Sequence, residues 1–290
     1  MARAITSFKC LTFDCYGTLI DWETGIFHAL QPLVERLPAA HPLKNDRPAL
    51  LRAFTRHEGL VQAAQPAALY SDVLASAYGA LAAELGLPSA AAADAHAEPG
   101  PHPIRPRPVT DQEKTDFGLS VGDWPVFSDT IAAMKRLHRH FTLVVLSNVD
   151  HASFRRSREQ QLLDTPLDAI CLAEDIGSYK PDLRNFHFVM DRCAERGFRK
   201  DEILHTAQSL KHDHEPAKQV GLTSAWIARG TRTGREGQGG SSSNTDDCES
   251  VMGGDEAAFA GRVDISWRFG SLEEMADYVD AEAARLAQSS

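Results

Sequence analysis

The sequence predicts an α/β protein, a parallel sheet covered by helices on both faces, with a helical segment inserted after the first strand. Three observations carry this. An apolar, β-rich run from Phe8 to Asp14 stops abruptly at a Tyr-Gly-Thr turn. The stretch that follows repeats its apolar residues at helical spacing, with no strand pattern among them. From Asp129 onward, helix and strand patterns alternate, which is the order that builds a parallel sheet buried on both faces.

The elements follow in order. Phe8 to Asp14 is the first strand. Ile26, Leu30, Leu33 and Leu37 mark one amphipathic helix, Leu50, Phe54 and Val61 a second, and Tyr70, Leu74, Ala77, Leu81 and Leu85 a third. The stretch PSAAAADAHAEPGPHPIRPRPVTDQEK then reads as an exposed connection, because its prolines forbid regular helix or central strand. These features divide the chain into a core of residues 1–20 and 118–290 and a helical insert, the connection included, of residues 21–117. Within the core, helices are expected at Asp129–His138, after Asp150, at Asp182–Arg196 and at Glu215–Val220. Strands are expected at Phe141–Leu146, near Ala169–Ala173, at Ile203–Ala207 and at Ser224–Ala228. Residues 230–262 are rich in Gly and Ser and lack periodicity, so a mobile loop is expected there. RVDISWRF then reads as a late edge strand, and Ser271 with Glu274 as a capping box for a last helix through Leu286.

Composition excludes more than it assigns. The net charge of -10 argues against a nucleic-acid partner, whose phosphates attract basic surfaces. No apolar run approaches the roughly 20 residues of a membrane span, and MARAITSFKC lacks the apolar stretch of a secretory signal, so the expected address is the cytoplasm. The 5 cysteines are irregularly spaced, without a C-x-x-C pair, and Cys10, Cys171 and Cys193 read as small buried apolar residues.

In open parallel sheets, ligands bind outside the carboxyl ends of the strands. The residues placed there form a coherent set: Asp14 after the first strand, Ser147 and Asn148 after FTLVVL, Lys180 in GSYKPD, and Gln208, Ser209 and Asp213 after EILHTA. An ammonium at Lys180 would hold Asp14 ionised, and an ionised, oriented carboxylate is a competent nucleophile.

These residues resemble the four ordered motifs of the haloacid dehalogenase superfamily: Asp14-Cys-Tyr-Gly-Thr-Leu, Ser147-Asn148, Lys180-Pro181 and AQSLKHDHEPAKQVGL. The resemblance runs from about Phe8 to Arg229, and the helical insert sits where that superfamily places a cap domain over its Rossmann-like core. Tyr16 is the discriminating position. Phosphatase members usually carry a second Asp two residues after the nucleophile to protonate an alkoxide, whereas Tyr16 matches the 2-haloacid dehalogenases. Halide leaves as a stable anion, whereas an alkoxide benefits from a general acid by ~10²–10⁴-fold.

The resemblance implies that Asp14 attacks C2 of a small (S)-2-halocarboxylate to form an aspartyl ester, which water then hydrolyses with Asp213 positioning or activating it. Thr18, Ser147 and Asn148 would hold the nucleophile and the substrate carboxylate, with Tyr16 and Ser209 at the substrate and Lys180 neutralising Asp14. Arg52 and Arg56 are alternative partners for the departing halide. No cofactor is implied, and a homodimer is among the expectations.

The chain departs from the dehalogenase pattern at Gln208, Leu210 and Phe186, where Ser, Asn and Tyr are expected. A magnesium-dependent phosphatase, with Asp14 and Asp213 as Mg2+ ligands, is therefore the alternative, although Gln208 occupies the place of its second acid. A non-catalytic protein on the same scaffold is a third reading. His205, His212 and His214 do not form a convergent metal set, and His212 or His214 is the expected hydrogen-bond partner of Asp213. Trp22 and Tyr70 are expected to pack between insert and core or to line an apolar pocket.

Overall fold

The computed structural model describes residues 3–90, 107–229 and 256–289. Its first strand, β1 (Cys10–Phe13), lies between β2 (Thr142–Ser147) and β4 (Ile203–Ala207). Beyond β2 lies β3 (Ala169–Leu172), and beyond β4 lie β5 (Thr223–Ile227) and β6 (Ile265–Phe269). All neighbours are parallel, with Leu11 in register with Leu143 and with Leu204. The chain moves outward from β1 first to one side and then to the other. Strand order therefore reverses between β1 and β4, and loops leaving their carboxyl ends share a crevice.

The period-2 alternation of a strand sorts its side chains onto two faces. Leu11, Phe13, Leu143, Val145 and Leu204 join one core, closed by Met134 and Leu137 of a helix Thr130–Leu137 and by Met275 and Val279 of a helix Leu272–Ser289. Cys10, Val144, Leu146 and Ile203 face the other way, onto Phe186, Val189 and Cys193 of a helix Leu183–Glu195. Cys10, Cys171 and Cys193 are buried, as expected, and so is Cys15; Cys248 lies outside the described residues.

The helical insert consists of α1 (Trp22–Ala29), α2 (Gln31–Val34), α3 (Arg47–Ala64), α4 (Tyr70–Glu84) and α5 (Asp111–Gly118). Asp21 and Asp46 cap α1 and α3 by accepting from the N–H groups of Thr24 (3.1 Å) and Ala49 (2.8 Å). Pro32 opens the short α2, so the first predicted helix is broken after Leu30, and Leu37 is buried beyond its end. The expected irregular chain through Lys114 also needs correction, because α5 begins at Asp111. Thr110 Oγ1 accepts from the Glu113 N–H at 3.1 Å while the Glu113 carboxylate accepts from the Thr110 N–H at 2.8 Å, a full capping box. Phe117 of α5 packs its ring 5.2 Å from Phe54 and 4.7 Å from Tyr78.

In the core, α6 (Thr130–Leu137), α7 (His151–Gln160), α8 (Ala173–Ile176), α9 (Leu183–Glu195), α10 (Glu215–Val220) and α11 (Leu272–Ser289) follow the predicted alternation, with α8 as an unpredicted short turn. Most of the expected loop over residues 230–262 lies outside the described residues, and its end holds a single 3-10 turn, Glu256–Phe259. At the start of α11, Ser271 Oγ accepts from the Glu274 N–H at 3.1 Å, but the Glu274 carboxylate accepts from Gly270 at 2.6 Å and not from Ser271. Among the described residues, no helix is long and apolar enough to cross a membrane.

Gly25 of α1 packs closely against the core, since a Cβ there would lie 2.2 Å from Cγ of the buried Trp124. Trp124 in turn meets the Tyr16 ring edge-on at 5.7 Å. Gly25→Ala is expected to lower stability by about 1–3 kcal/mol, the usual cost of overpacking, as measured by urea unfolding.

Candidate active site

The loops at the carboxyl ends of β1, β2 and β4 converge on the side chain of Lys180. Its Nζ donates to Asp14 Oδ1 at 2.7 Å, to Asp213 Oδ1 at 2.7 Å and to the Leu146 carbonyl at 3.1 Å. All three charged side chains are buried, with relative exposures of 2%, 9% and 1% for Lys180, Asp14 and Asp213. Lys180 is therefore no surface lysine. One ammonium balances two carboxylates, and all three of its donors are satisfied.

Asp14 is held from several sides. Its N–H bonds Thr206 O at 3.1 Å, and Gly17, at φ 103°, turns the chain back so that Thr18 faces it. Thr18 Oγ1 donates to Asp14 Oδ2 at 2.7 Å and accepts from the Gln208 N–H at 3.0 Å. Burial pushes the Asp14 carboxyl up, Lys180 pulls against it, and the Asp213 charge adds to the rise.

Asp213 sits in a π-helical turn, Leu210–His214, that follows β4. Burial works against its ionisation, but Lys180 and then His205 outweigh burial and hold the carboxyl well below the usual range. The histidine expectation is corrected here. His205, in the middle of β4, approaches Asp213 Oδ1 with Nε2 at 3.1 Å, while its Nδ1 lies 2.9 Å from Thr12 Oγ1. His212 instead turns to Ser209, and His214 to Ser224 and the Ala207 carbonyl. Nε2 thus faces the carboxylate and Nδ1 the Thr12 hydroxyl, an arrangement that lets a proton on Nε2 be donated to Asp213. The other Asp213 oxygen, Oδ2, is buried without a hydrogen-bond partner among the described residues.

The remaining predicted residues take distinct places. Asn148 clamps the Lys180 backbone, accepting from its N–H at 2.7 Å and donating to its carbonyl at 3.1 Å. Ser147 Oγ is buried and unpartnered, and the residue lines the cavity above Asp14. Ser209 lines the same cavity, and its Oγ accepts from the His212 N–H at 3.1 Å, closing the turn that carries Asp213. Tyr16 also lines it, with its hydroxyl 2.8 Å from Ser157 Oγ. Burial pushes the Tyr16 phenol well above its ordinary value. Arg52 and Arg56 of α3 both reach the cavity, but Arg56 is paired with Glu84, whereas no ion pair engages Arg52 among the described residues. Trp22 and Tyr70 are mostly buried and line the cavity as well.

Sequence reasoning missed two supports besides His205. Arg229, just past β5, donates through Nε to the Thr18 carbonyl at 2.7 Å and through Nη2 to Asp129 at 2.9 Å, bracing the Asp14 turn from behind. Trp226 donates to the Gln208 carbonyl at 2.8 Å. Arg229 follows the end of β5 and Trp226 lies within it, but neither residue type distinguishes such a brace from ordinary packing.

Among the described residues, the floor offers a magnesium ion two carboxylates and no further acid. Asp14 and Asp213 are its two carboxylates, each spends an oxygen on Lys180, and Gln208 brings an amide in place of a further acid. Among the described residues, no group of three or more His, Cys, Asp or Glu side chains is arranged to hold a metal.

Residues 8–221 match the family of haloacid dehalogenase-like hydrolases. The chain belongs to this family. Solved structures agree on the fold. An L-2-haloacid dehalogenase from Xanthobacter autotrophicus is 16% identical, with 94% of this chain and 98% of that one covered and a TM-score of 0.64. A defluorinating L-2-haloacid dehalogenase is also 16% identical, with coverage of 96% and 98% and a TM-score of 0.64. A magnesium-bound putative hydrolase of the same superfamily from Bacillus subtilis is 20% identical, with coverage of 76% and 88% and a TM-score of 0.56. No curated protein sequence matches the chain.

Removing the cation from this cluster leaves two buried carboxylates facing each other. Lys180→Met is expected to cost about 3–5 kcal/mol at neutral pH, the range for breaking a buried pair from one side. The loss should shrink near pH 4, where the carboxylates take up protons; urea unfolding of both proteins at the two pH values measures it.

Proposed function

We propose that the protein hydrolyses the carbon–halogen bond of a small (S)-2-halocarboxylate through an aspartyl ester on Asp14. The observation that carries this reading is the environment of Tyr16. The position two residues after Asp14 holds a phenol that is tied to Ser157 and pushed upward by burial, a weaker acid than the carboxyl that phosphatase members usually carry there. This favours a first leaving group that departs without a proton, as halide does.

In the first step an Asp14 oxygen attacks C2 from the side opposite the halogen. The C–O bond forms, the carbon–halogen bond breaks, and halide leaves with the electron pair. Lys180 and Thr18 hold the carboxylate in place, and the free Ser147 hydroxyl is available to the substrate carboxylate. Arg52, unlike Arg56, is not committed to an ion pair among the described residues and is the guanidinium assigned to the departing halide. In the second step water attacks the Asp14 carboxyl carbon. The unpartnered Oδ2 of Asp213 accepts its proton, with the carboxylate aimed by His205 and Lys180. As the ester C–O bond breaks, Asp213 returns that proton to the departing oxygen, releasing a 2-hydroxy acid and restoring both carboxylates. Because water cleaves the acyl bond, inversion at C2 in the first step is retained in the product.

Chloride release from (S)-2-chloropropionate tests this, alongside phosphate release from an aryl phosphate, each with magnesium and with chelator. Chelator-resistant chloride release is expected, falling to background in Asp14→Asn while the circular dichroism spectrum is kept. Phosphate release alone, abolished by chelator, would reject the reading in favour of the phosphatase.

The pH dependence has a definite sign. The nucleophile must be ionised and burial raises its pKa, so kcat/KM should fall on the acid side at a pH above the ~4 of an ordinary carboxylate. A pH–rate profile that stays flat down to pH 4 would contradict this placement of Asp14.

A further inference from the structure

The cavity above Asp14 encloses about 480 Å³, within the roughly 300–1,000 Å³ of pockets that take drug-sized ligands. A two- or three-carbon acid leaves most of that space unused. The wall contributed by the insert carries Arg52, Gln62 and Tyr70, and with them a side chain unsuited to a site for a bare anion: Glu58 of α3. It is half-buried, and its Oε1 accepts from the Tyr70 hydroxyl at 2.8 Å. No cation pairs with it among the described residues. Arg56, two residues earlier on the same helix, is turned to Glu84, which it shares with His57. Burial pushes the Glu58 carboxyl up to about 7, against the Tyr70 hydrogen bond that lowers it. A partly desolvated carboxyl group with one oxygen uncommitted gains most from a ligand that brings a donor.

We infer that Glu58, oriented by Tyr70, forms a specificity subsite for a hydrogen-bond donor on the substrate away from its reacting carbon. The substrate class is then a 2-halocarboxylate of four or more carbons bearing a hydroxyl or ammonium group, with the carboxylate end at Ser147 and the donor end at Glu58. This rests on the dehalogenase reading above. A second carboxylate or a phosphate at that end brings no donor for Glu58 and is disfavoured.

The test compares kcat/KM for 2-chlorobutanoate, 2-chloro-4-hydroxybutanoate and 4-amino-2-chlorobutanoate in the wild-type protein, Glu58→Gln and Glu58→Ala. The wild type is expected to prefer a donor-bearing acid over 2-chlorobutanoate by about tenfold or more, the scale of one hydrogen bond to a charged group. If the donor is an ammonium, the preference collapses in Glu58→Gln. If it is a hydroxyl, the preference weakens in Glu58→Gln, whose amide still accepts, and disappears in Glu58→Ala. Equal rates for all three acids in the wild type, or a preference that survives Glu58→Ala, would overturn the subsite. If none of the acids is dehalogenated, calorimetry with butanoate, 4-hydroxybutanoate and 4-aminobutanoate separates the two ideas. Tighter binding of a donor-bearing acid, lost in Glu58→Ala, upholds the subsite and rejects only the reaction; equal binding, or none, overturns the subsite.

Discussion

The Lys180 ammonium, 2.7 Å from Asp14 and 2.7 Å from Asp213, is the interaction on which the rest of the site depends. Two carboxylates buried this deeply would repel one another and resist ionisation, so without a cation the loops after β1 and β4 would not close over the same point. Desolvating the cluster is costly, and the surrounding structure offsets that cost with directed hydrogen bonds. Thr18, His205 and the Leu146 carbonyl each satisfy a further donor or acceptor of the three charged side chains. The one oxygen left over, Asp213 Oδ2, lacks the hydrogen bond that buried polar groups almost always make. An unpaired acceptor of this kind is tolerated where chemistry uses it.

Behind the charged groups stands a second tier that is wholly structural. Arg229 spans from the Thr18 carbonyl to Asp129, and Asp129 also accepts from the Leu272 N–H at 2.8 Å where α11 begins. The turn carrying Asp14 is thus connected to the last helix of the chain. Asn148 performs the corresponding service for Lys180, spending its amide on that residue's backbone. The floor of the cavity rests on strand ends. Its opposite wall comes from a separate set of helices, through which selectivity for the distal part of a ligand can vary without disturbing the floor.

Much of this was legible in the sequence. Apolar alternation, capping residues and the abrupt stops after strands located nearly all the elements, because these signals are local and act within a few residues. Asp14, Lys180 and Asp213 were legible as a group since the carboxyl ends of parallel strands lie on one edge of a sheet. The failures are equally physical. The prolines before α5 read as a break that ran too far, although the Thr110–Glu113 box was there to stop it. His212 and His214 flank Asp213 in sequence, yet the π-helical turn points them elsewhere, and His205, eight residues earlier in the strand that leads into the turn, meets the carboxylate.

The sequence by itself determined the alternation of helix and strand, the position of β1 as the strand delivering Asp14, and the kinds of charge gathered at one sheet edge. Tertiary structure alone decided which side chain answers which. It paired Arg56 with Glu84, left Arg52 unpaired among the described residues, oriented Glu58 through Tyr70 and tied Tyr16 to Ser157. Those choices depend on distances between elements far apart in the chain, set by how helices pack and strands register, and no local pattern of residue types encodes them.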